Sequence, residues 1–317
     1  MKVKDESKRL SYIDKVSGLL IVNMIIVHCF IFSDLIHVNN SYCMLPLSFF
    51  MFWFFYKSGM FYNRSKTYKE IISGGGKKLI YPYVVFSAIG HVLYCVKLVV
   101  KDDCNWIHYV LTPIKQLILE GAVSGNKALW FLPSLLAVQV IYSNLSKRMN
   151  DFCIMVFALV IAYVLFLMDI HHPLYIGNIS LGILAYSFGH LMKKIQYNFN
   201  IYTVAFIIYV MILLLIPSKI DVYLNNCDRG YYLLAIAFSL SGCIVINNIF
   251  KLIPFQFSFL ELIGKRSMIF YVMHWFPIYL CSIIFPFSGW VMFGLLVIVS
   301  VVVLYSIDRV YAKICIN

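Results

Sequence analysis

The feature of this sequence that most restricts its fold is a series of long apolar stretches along the whole chain. A helix needs about 20 apolar residues to cross a bilayer. Ten stretches approach or reach that length: 16–36, 45–62, 79–100, 127–146, 152–169, 173–191, 200–217, 230–249, 267–285 and 288–307. They are continuous apolar runs without the alternation of barrel strands, so each predicts a helix. We expect an all-α polytopic membrane protein, a bundle of about ten transmembrane helices that forms a single domain over residues 1–317.

Composition supports a membrane protein and excludes several other classes. Apolar residues make up 62% of the chain and charged residues 13%, with a mean hydropathy of +0.84, whereas soluble domains carry about 45–50% apolar and about 25% charged residues. The same figures exclude a disordered chain, a collagen-like fibre and a secreted disulfide scaffold. We expect a polar N-terminal segment at 1–15, ten spans within 16–307 and a short C-terminal tail at 308–317. No loop is long enough for a soluble catalytic domain, so we expect any catalytic site to lie within the helical bundle.

The positive charges are concentrated on alternate loops. A cytoplasmic N-terminus places 20 of the 26 Lys and Arg residues on the cytoplasmic side. The six on the other side are Lys97, Lys101, Lys115, Lys127, Lys219 and Arg229. This bias is what the positive-inside rule requires, so we expect both termini in the cytoplasm. The orientation accounts for most of the net charge of +12 without a nucleic-acid partner.

Ionisable residues inside the predicted spans are functional candidates, because they are costly in lipid. No Asp or Glu lies deep in any of the ten predicted spans, which disfavours an ion-coupled transporter. The histidines within the spans are His28, His91, His190 and His274. His190, close to Lys193 and Lys194, is expected to be an interfacial side chain, and His91 an interhelical hydrogen-bonding residue.

His28 shares one face of its helix with two polar residues nearer the N-terminus. Ser17 precedes it by eleven residues and Asp14 by fourteen, which puts all three on nearly one stripe at 3.6 residues per turn. In a span at 16–36, His28 lies about 18 Å inside, near the middle of the membrane. The stripe suits a groove from the cytoplasm to the membrane centre. It equally suits a core histidine bonded to a backbone carbonyl, with Asp14 at a helix N-terminus.

Two segments place basic residues at the start of a span. Lys265 and Arg266 precede Ser267, which shares a helix face with His274. These two cations either follow the positive-inside rule alone or also bind an anionic cytoplasmic ligand such as a nucleotide-bearing cosubstrate. Lys77 and Lys78 follow Gly74–Gly76, a pattern that fits either a flexible hinge or a phosphate-binding turn.

Five short motif blocks follow one another in order along the chain. They are Arg9–Gly18 with His28, Leu45–Phe50 with Ser58–Gly59, Lys77–Tyr83, Leu129–Leu132, and Ile263–Ser267 with Tyr271 and His274. Together they resemble the membrane acyltransferase family 3, the integral-membrane sugar O-acyltransferases of bacteria. One position departs from the family pattern, which has Arg or Lys three residues after the Asp. Here that position is Ser17, so the resemblance predicts that Lys15 or Arg9 substitutes, or that donor binding relies on Arg64, Lys77, Lys78 and Arg266.

The resemblance implies a multi-pass enzyme of the bacterial plasma membrane. It implies transfer of an acetyl group from cytoplasmic acetyl-CoA, a cosubstrate rather than a permanently bound cofactor, to a hydroxyl of a cell-surface polysaccharide or lipid-linked sugar. His28 would take the hydroxyl proton or carry the acyl group. The catalytic candidates are His28, His274 and Asp14, with Asp14 at the donor entrance or in helix packing. The donor-binding candidates are Lys15, Arg64, Lys77, Lys78, Lys265 and Arg266, and the substrate-binding candidates are Trp130, Ser267 and Tyr271.

Two other functions fit the same spans. One is a non-catalytic carrier or flippase for a glycan or lipid, and the other is a structural subunit of a polysaccharide-export system. The nine cysteines show no metal-binding pattern, and His171 and His172 are expected to cap a short external loop rather than hold a metal. Cys43, Cys104 and Cys227 are expected on the outer side, where a disulfide between two of them can form.

Overall fold

A computed structural model describes residues 10–36, 44–103, 105–170, 176–195, 199–227, 231–252, 257–285 and 287–316. The side chains of residues 308 and 310–316 are not described. The predictions for Cys43, Cys104, His171, His172 and most of segment 1–15 concern residues outside the described ranges. The protein is mostly helical, at 82% of its residues, as the apolar stretches predicted.

Helices cover most of the predicted apolar stretches, although among the described residues only six helical segments are long enough to span a bilayer. They are α1 (Ser11–Phe32), α2 (Phe50–Met60), α3 (Tyr68–Gly75), α4 (Tyr81–Val100), α5 (Trp106–Glu120), α6 (Phe131–Leu145), α7 (Asp151–Leu167), α8 (Ile176–Lys194), α9 (Phe199–Leu215), α10 (Tyr232–Leu252), α11 (Ser258–Lys265), α12 (Ser267–Met273), α13 (Trp275–Ile284) and α14 (Gly289–Ile316). Short 3₁₀ segments cover Leu45–Leu47 and Ser124–Trp130, and a π-helical turn covers Gly76–Ile80.

Six helical segments of the described chain are long and apolar enough to cross a bilayer. They are Ser11–Phe32, Tyr68–Val100, Trp106–Leu145, Tyr232–Leu252, Ser267–Ile284 and Gly289–Ile307. Two shorter apolar helices, Asp151–Leu167 and Phe199–Leu215, accompany them. The chain is therefore a helical membrane protein whose backbone polar groups are largely satisfied within each helix.

Helix α1 ends earlier than the sequence predicted. The Ser33 amide donates to the carbonyl of Cys29, the Ser33 hydroxyl donates to that of Phe30 at 3.2 Å, and Asp34 adopts a positive φ of 59°. The helix therefore stops at Phe32 instead of continuing to residue 36. His28 lies four residues from this end, about 6 Å along the axis, and not near the middle of the span.

The span at 267–284 is broken at His274, between α12 and α13. Pro277 lies three residues beyond the break, and its ring nitrogen cannot donate to the carbonyl of Met273. Residue 274 therefore lies at a helix interruption inside the bundle. Such an interruption is tolerated in a membrane where protein surrounds it, and His274 is 0% exposed.

Residues 101–126, which lie between two of the predicted spans, contain α5, Trp106–Glu120. Asn105 begins this helix by accepting a hydrogen bond from the Ile107 amide at 3.1 Å, and Gly121, with φ of 68°, ends it. Its large apolar residues Trp106, Val110 and Ile118 are more than half exposed. No span was predicted here, but the segment carries a cap at each end and enough apolar residues for a helix.

Helices α1 and α11 meet backbone to backbone. A methyl group at Gly18 would overlap the carbonyl oxygen of Leu260, and one at Gly264 would overlap the carbonyl oxygen of Asp14. Small residues permit such close approach, which is how helices associate in lipid. We call the end of the bundle where α1 starts the N-terminal face.

A short antiparallel hairpin covers the other end of α1. Strands β1 (Ile220–Asp221) and β2 (Asn226–Cys227) pair Ile220 with Cys227 and Asp221 with Asn226. The Asp221 carboxylate accepts hydrogen bonds from the Tyr223 and Leu224 amides at 2.9 and 3.1 Å, which holds the turn. We call this end the hairpin face.

Candidate active site

Two histidines that are 246 residues apart in sequence meet inside the bundle. The Nε2 atom of His274 lies 3.1 Å from Nδ1 of His28, and the two ring centroids are 5.0 Å apart. His28 comes from the last turn of α1, and His274 from the break between α12 and α13. Two of the three catalytic candidates, His28 and His274, are therefore in direct contact, and Asp14 is not part of it.

The neighbours of His274 determine which ring nitrogen carries each proton. Its Nδ1 lies 2.6 Å from the carbonyl oxygen of Tyr271, and a carbonyl only accepts, so this nitrogen carries the hydrogen. In a neutral ring, Nε2 of His274 is then an acceptor and receives the Nδ1–H of His28. The Nε2 atom of His28 is left with a lone pair. The hydrogen bond from His28 to His274, which the Tyr271 carbonyl in turn orients, thus positions His28 as a base.

A cavity of about 570 Å³ lies between His28 and the hairpin. Its aromatic walls are Trp130, Tyr223, Tyr271 and Trp275, and Lys127 and Lys219 also line it. The Trp130 and Tyr223 rings are 5.1 Å apart. Sugar binding needs apolar ring faces together with a few polar groups in a concave site, and this cavity supplies both.

Trp275 lines the same cavity and packs against His28. Its ring meets that of His28 edge to face, with centroids 5.1 Å apart, and it is 7% exposed. Among the described residues, its buried Nε1 has no hydrogen-bond partner. An unsatisfied buried donor costs about 1–3 kcal/mol, and Trp275 Nε1 is one of several such atoms among the described residues.

The cavity wall is held in place by two hydrogen bonds between the 3₁₀ segment 124–130 and α12. Asn126 leaves helical geometry, and its Nδ2 donates to the Val272 carbonyl at 3.1 Å. The Tyr271 hydroxyl donates to the Ala128 carbonyl. Tyr271 and Trp130, two predicted substrate-binding residues, therefore line the cavity, whereas Ser267 does not line it.

The other predicted residues on the α1 stripe do not form an open groove. Asp14 is 5% and Ser17 0% exposed, both packed within the bundle. Ser17 donates to the Ile13 carbonyl at 2.7 Å and accepts a hydrogen bond from Lys57 Nζ, also at 2.7 Å. The Lys57 ammonium also lies 5.7 Å from the centroid of the Trp53 ring. Sequence analysis counted Lys57 only as a cytoplasmic cation and missed this contact.

The six predicted donor-binding cations lie in three neighbourhoods, and none lines the cavity. Lys15, Lys265 and Arg266 lie where α1 meets α11. There Glu261 accepts from Lys265 Nζ at 2.7 Å and from the Ser11 hydroxyl at 2.9 Å, and these two partners hold the pKa of Glu261 below its ordinary value. Lys77 and Lys78 are exposed on the π-helical turn.

The sixth cation, Arg64, belongs to a buried polar cluster that sequence analysis missed. The Asp151 carboxylate, 4% exposed, accepts from Arg64 at 3.3 Å, from the Tyr142 hydroxyl at 2.6 Å and from Lys194. His190 Nδ1 lies 3.1 Å from the same carboxylate. The prediction that His190 is an interfacial side chain was wrong, since it is 5% exposed. Asp151 begins α7, whereas His190 and Lys194 lie near the end of α8, and no local sequence pattern indicated that they meet.

Comparison with known proteins agrees with the motif blocks. The family profile described as acyltransferase domain matches residues 10–309, nearly the whole chain. No curated protein and no solved structure matches the chain significantly. The profile match, the paired histidines and the helical bundle together show that the chain belongs to the membrane acyltransferase family 3.

Proposed function

We propose that this protein is a membrane O-acyltransferase that moves an acetyl group from cytoplasmic acetyl-CoA to a hydroxyl of a cell-surface polysaccharide or lipid-linked sugar. Family membership supports acyl transfer. The observation that carries the proposal further is the position of His28. Its Nδ1–H is bonded to His274, and its ring lines a cavity with aromatic walls.

The reaction needs one proton to move twice. Nε2 of His28 takes the proton of the sugar hydroxyl while the oxygen attacks the thioester carbonyl. The tetrahedral intermediate then collapses, the C–S bond breaks, and the thiolate receives the proton back from His28. His274 accepts the Nδ1–H of His28 throughout, which stabilises the positive ring that exists between the two transfers.

Negative charge develops on the carbonyl oxygen during the attack. A preorganised N–H donor at that oxygen lowers the barrier more than any other single group in many acyl transfers. Trp275 Nε1, buried beside His28 and without a partner among the described residues, suits this role. We propose that it donates to the oxyanion.

The two substrates are proposed to come from opposite faces. With 20 of 26 cations on one side, the positive-inside rule favours a cytoplasmic N-terminal face, and we propose that the membrane is a bacterial plasma membrane. The acceptor then reaches His28 through the cavity under the hairpin, with its ring against Trp130. Acetyl-CoA approaches from the N-terminal face, where Lys15, Lys265 and Arg266 lie.

The test follows acetyl esters on the surface glycan of a gene-deletion strain. Complementation with the natural sequence should restore the esters, and His28→Ala should not, although it reaches the membrane in equal amount. Purified protein should consume acetyl-CoA only when the acceptor is present. A carrier, a flippase or a structural subunit would tolerate His28→Ala and consume no thioester, so full restoration by that variant would overturn the proposal.

A further inference from the structure

Three lysines gather near the hairpin face, and we call them the lysine cluster. Lys97 lies in the last turn of α4, and Lys101 follows it one turn later. The charge of Lys97 is close enough to Lys101 and to Lys127 to be repelled by both. Only six of the 26 Lys and Arg residues are expected on this side of the membrane. Like charges brought together cost free energy, so a cluster on the cation-poor side indicates a negatively charged ligand.

A contact between backbones brings two of these lysines together. A methyl group at Gly125 would overlap the carbonyl oxygen of Gly90, so the 3₁₀ segment that contains Lys127 lies directly against α4. Lys97 is seven residues beyond Gly90, which is about two turns along the same face of the helix. Lys127 is two residues beyond Gly125. The tertiary structure therefore sets the position of the two charges.

The lysine cluster borders the cavity of the candidate active site. Lys127 lines that cavity and precedes Ala128, which belongs to a buried apolar group with Trp275 and Tyr279. The Lys97 ammonium lies 5.2 Å from the centroid of the Tyr279 ring, a cation–π contact. The Trp275 ring in turn meets the proposed base edge to face. Positive charge therefore lies along one wall of the cavity in which the base is found.

Local structure accounts for only part of the cluster. Lys97 and Lys101 lie at the C-terminal end of α4, where the helix dipole favours cations. The same dipole does not favour Lys127, which precedes the N-terminal end of α6. The ion pair of Lys127 with Glu120 is long, at 3.6 Å, and the lysine side chain is 49% exposed, so this pair contributes little.

The other acids around the cluster are held by their own turns. Asp103 accepts hydrogen bonds from His108 Nδ1 at 2.6 Å and from the Asn105 amide at 3.0 Å. Asp221, which lines the cavity, accepts from two amides of its hairpin turn. Within the described part of the chain, Glu120 is the one carboxylate that forms an ion pair with the cluster. Three ammonium groups therefore face a single carboxylate.

We propose that the acceptor is an anionic glycan, and that Lys127 and Lys97 bind its phosphate or carboxylate while a nearby hydroxyl reaches His28. This inference rests on the proposed function, for which it names the class of acceptor. An ammonium group forms charge-assisted hydrogen bonds with phosphate and carboxylate alike. A bound anion also offsets the repulsion among the three lysines. A neutral sugar would gain neither contribution.

The experiment uses purified full-length protein, acetyl-CoA and the glycan that loses its acetyl esters in the gene-deletion strain. Lys127→Met should raise KM for this glycan about three- to tenfold and leave KM for acetyl-CoA unchanged. Lys127→Arg keeps the charge and should stay within about threefold of the natural protein, which guards against a variant that merely misfolds. Lys115→Met, which removes an exposed lysine of α5 outside the cavity lining, is the matched control and should change neither value.

Two chemical treatments of the glycan distinguish the sources of negative charge. Cold hydrofluoric acid removes phosphate esters, and carbodiimide activation followed by borohydride reduces carboxylates to alcohols. One of these treatments should raise the acceptor KM of the natural protein. It should change the KM of the Lys97→Met/Lys127→Met variant little, because the cations that recognise the charge are gone. Added salt should likewise raise the acceptor KM of the natural protein more than that of this double variant.

The outcomes separate this inference from the proposed function. If neither treatment changes the acceptor KM, or if Lys127→Met raises it equally for treated and untreated glycan, the lysine cluster does not recognise the charge. The inference is then wrong, and the proposed function stands. An acetylated glycan that is neutral before treatment also overturns the inference, as does a folded Lys127→Arg protein with the KM of Lys127→Met. If the deletion strain keeps all its esters, or the natural protein consumes no thioester with any acceptor, the proposed function itself fails.

Discussion

Nε2 of His274 lies 3.1 Å from Nδ1 of His28, and the carbonyl of Tyr271 lies 2.6 Å from the other nitrogen of His274. This chain of contacts runs from a backbone carbonyl through one imidazole to the next. Because the carbonyl can only accept, two neutral rings allow a single placement of the hydrogens, on Nδ1 of His274 and on Nδ1 of His28. His274 lies between α12 and α13, where its ring packs against His28 of α1.

Replacing the two histidines should separate the base from its positioning residue. His28→Gln should lower kcat at least about 100-fold, because the proton acceptor is lost. His274→Gln should keep more activity than His274→Leu, since an amide oxygen can still accept the Nδ1–H of His28. Initial rates at saturating acetyl-CoA and acceptor measure both effects. Equal activity of the Gln and Leu variants would show that His274 does not orient His28.

Trp275 should affect the rate and not substrate binding. Trp275→Phe keeps an aromatic ring but removes Nε1–H, and should lower kcat about 10- to 100-fold with little change in either KM. Trp290→Phe is a matched control, because Trp290 is 62% exposed and does not line the cavity. A change confined to acceptor KM would assign Trp275 to sugar binding instead.

Trp130 should affect acceptor binding. Trp130→Leu removes the aromatic face that meets Tyr223 and should raise KM for the acceptor about three- to tenfold, leaving KM for acetyl-CoA unchanged. Trp106→Leu changes an exposed tryptophan outside the cavity and should leave both values as they are. Loss of donor binding in Trp130→Leu would contradict this placement of the acceptor.

The close contact between α1 and α11 should tolerate no side chain at Gly264. Gly264→Ala forces the Asp14 carbonyl away and should cost about 1–3 kcal/mol of stability. Gly294→Ala has nothing within 4 Å of the added methyl group and should be neutral or slightly stabilising. The midpoint of thermal unfolding in detergent compares the two. An unchanged midpoint for Gly264→Ala would mean that the helices do not touch there.

The Asp151 cluster should contribute to stability apart from catalysis. Asp151→Asn leaves Arg64 and Lys194 facing each other without their carboxylate. Because these partners are 51% and 46% exposed, the loss should be about 2 kcal/mol, below that of a fully buried pair. Adding Lys194→Met should recover part of it. Asp102→Asn, at an exposed position, is the control, and an equal effect of both variants would rule out a specific cluster.

Most of the helical segments could be predicted, and most of their contacts could not. An apolar run in lipid has to satisfy its own backbone, so its helical state is a local property. Helix α1 ends at Phe32 because of Ser33 and Asp34, which a count of apolar residues overlooks. His28 therefore lies nearer the hairpin face than the sequence predicted. The helix at Trp106–Glu120 was missed for a similar reason, since its caps count for more than its mean hydropathy.

By itself, the sequence indicated the helical membrane fold and the family, and it named His28 and His274 as catalytic candidates. Each of these depends on local composition or on the spacing of residues within a motif. Only the tertiary structure decided that His28 and His274 share a hydrogen bond, that Lys57 faces Ser17 and that Asp151 gathers four partners. Those contacts join helices far apart in sequence. A periodic apolar pattern states which residues can lie in lipid, but not which helix each polar side chain will face.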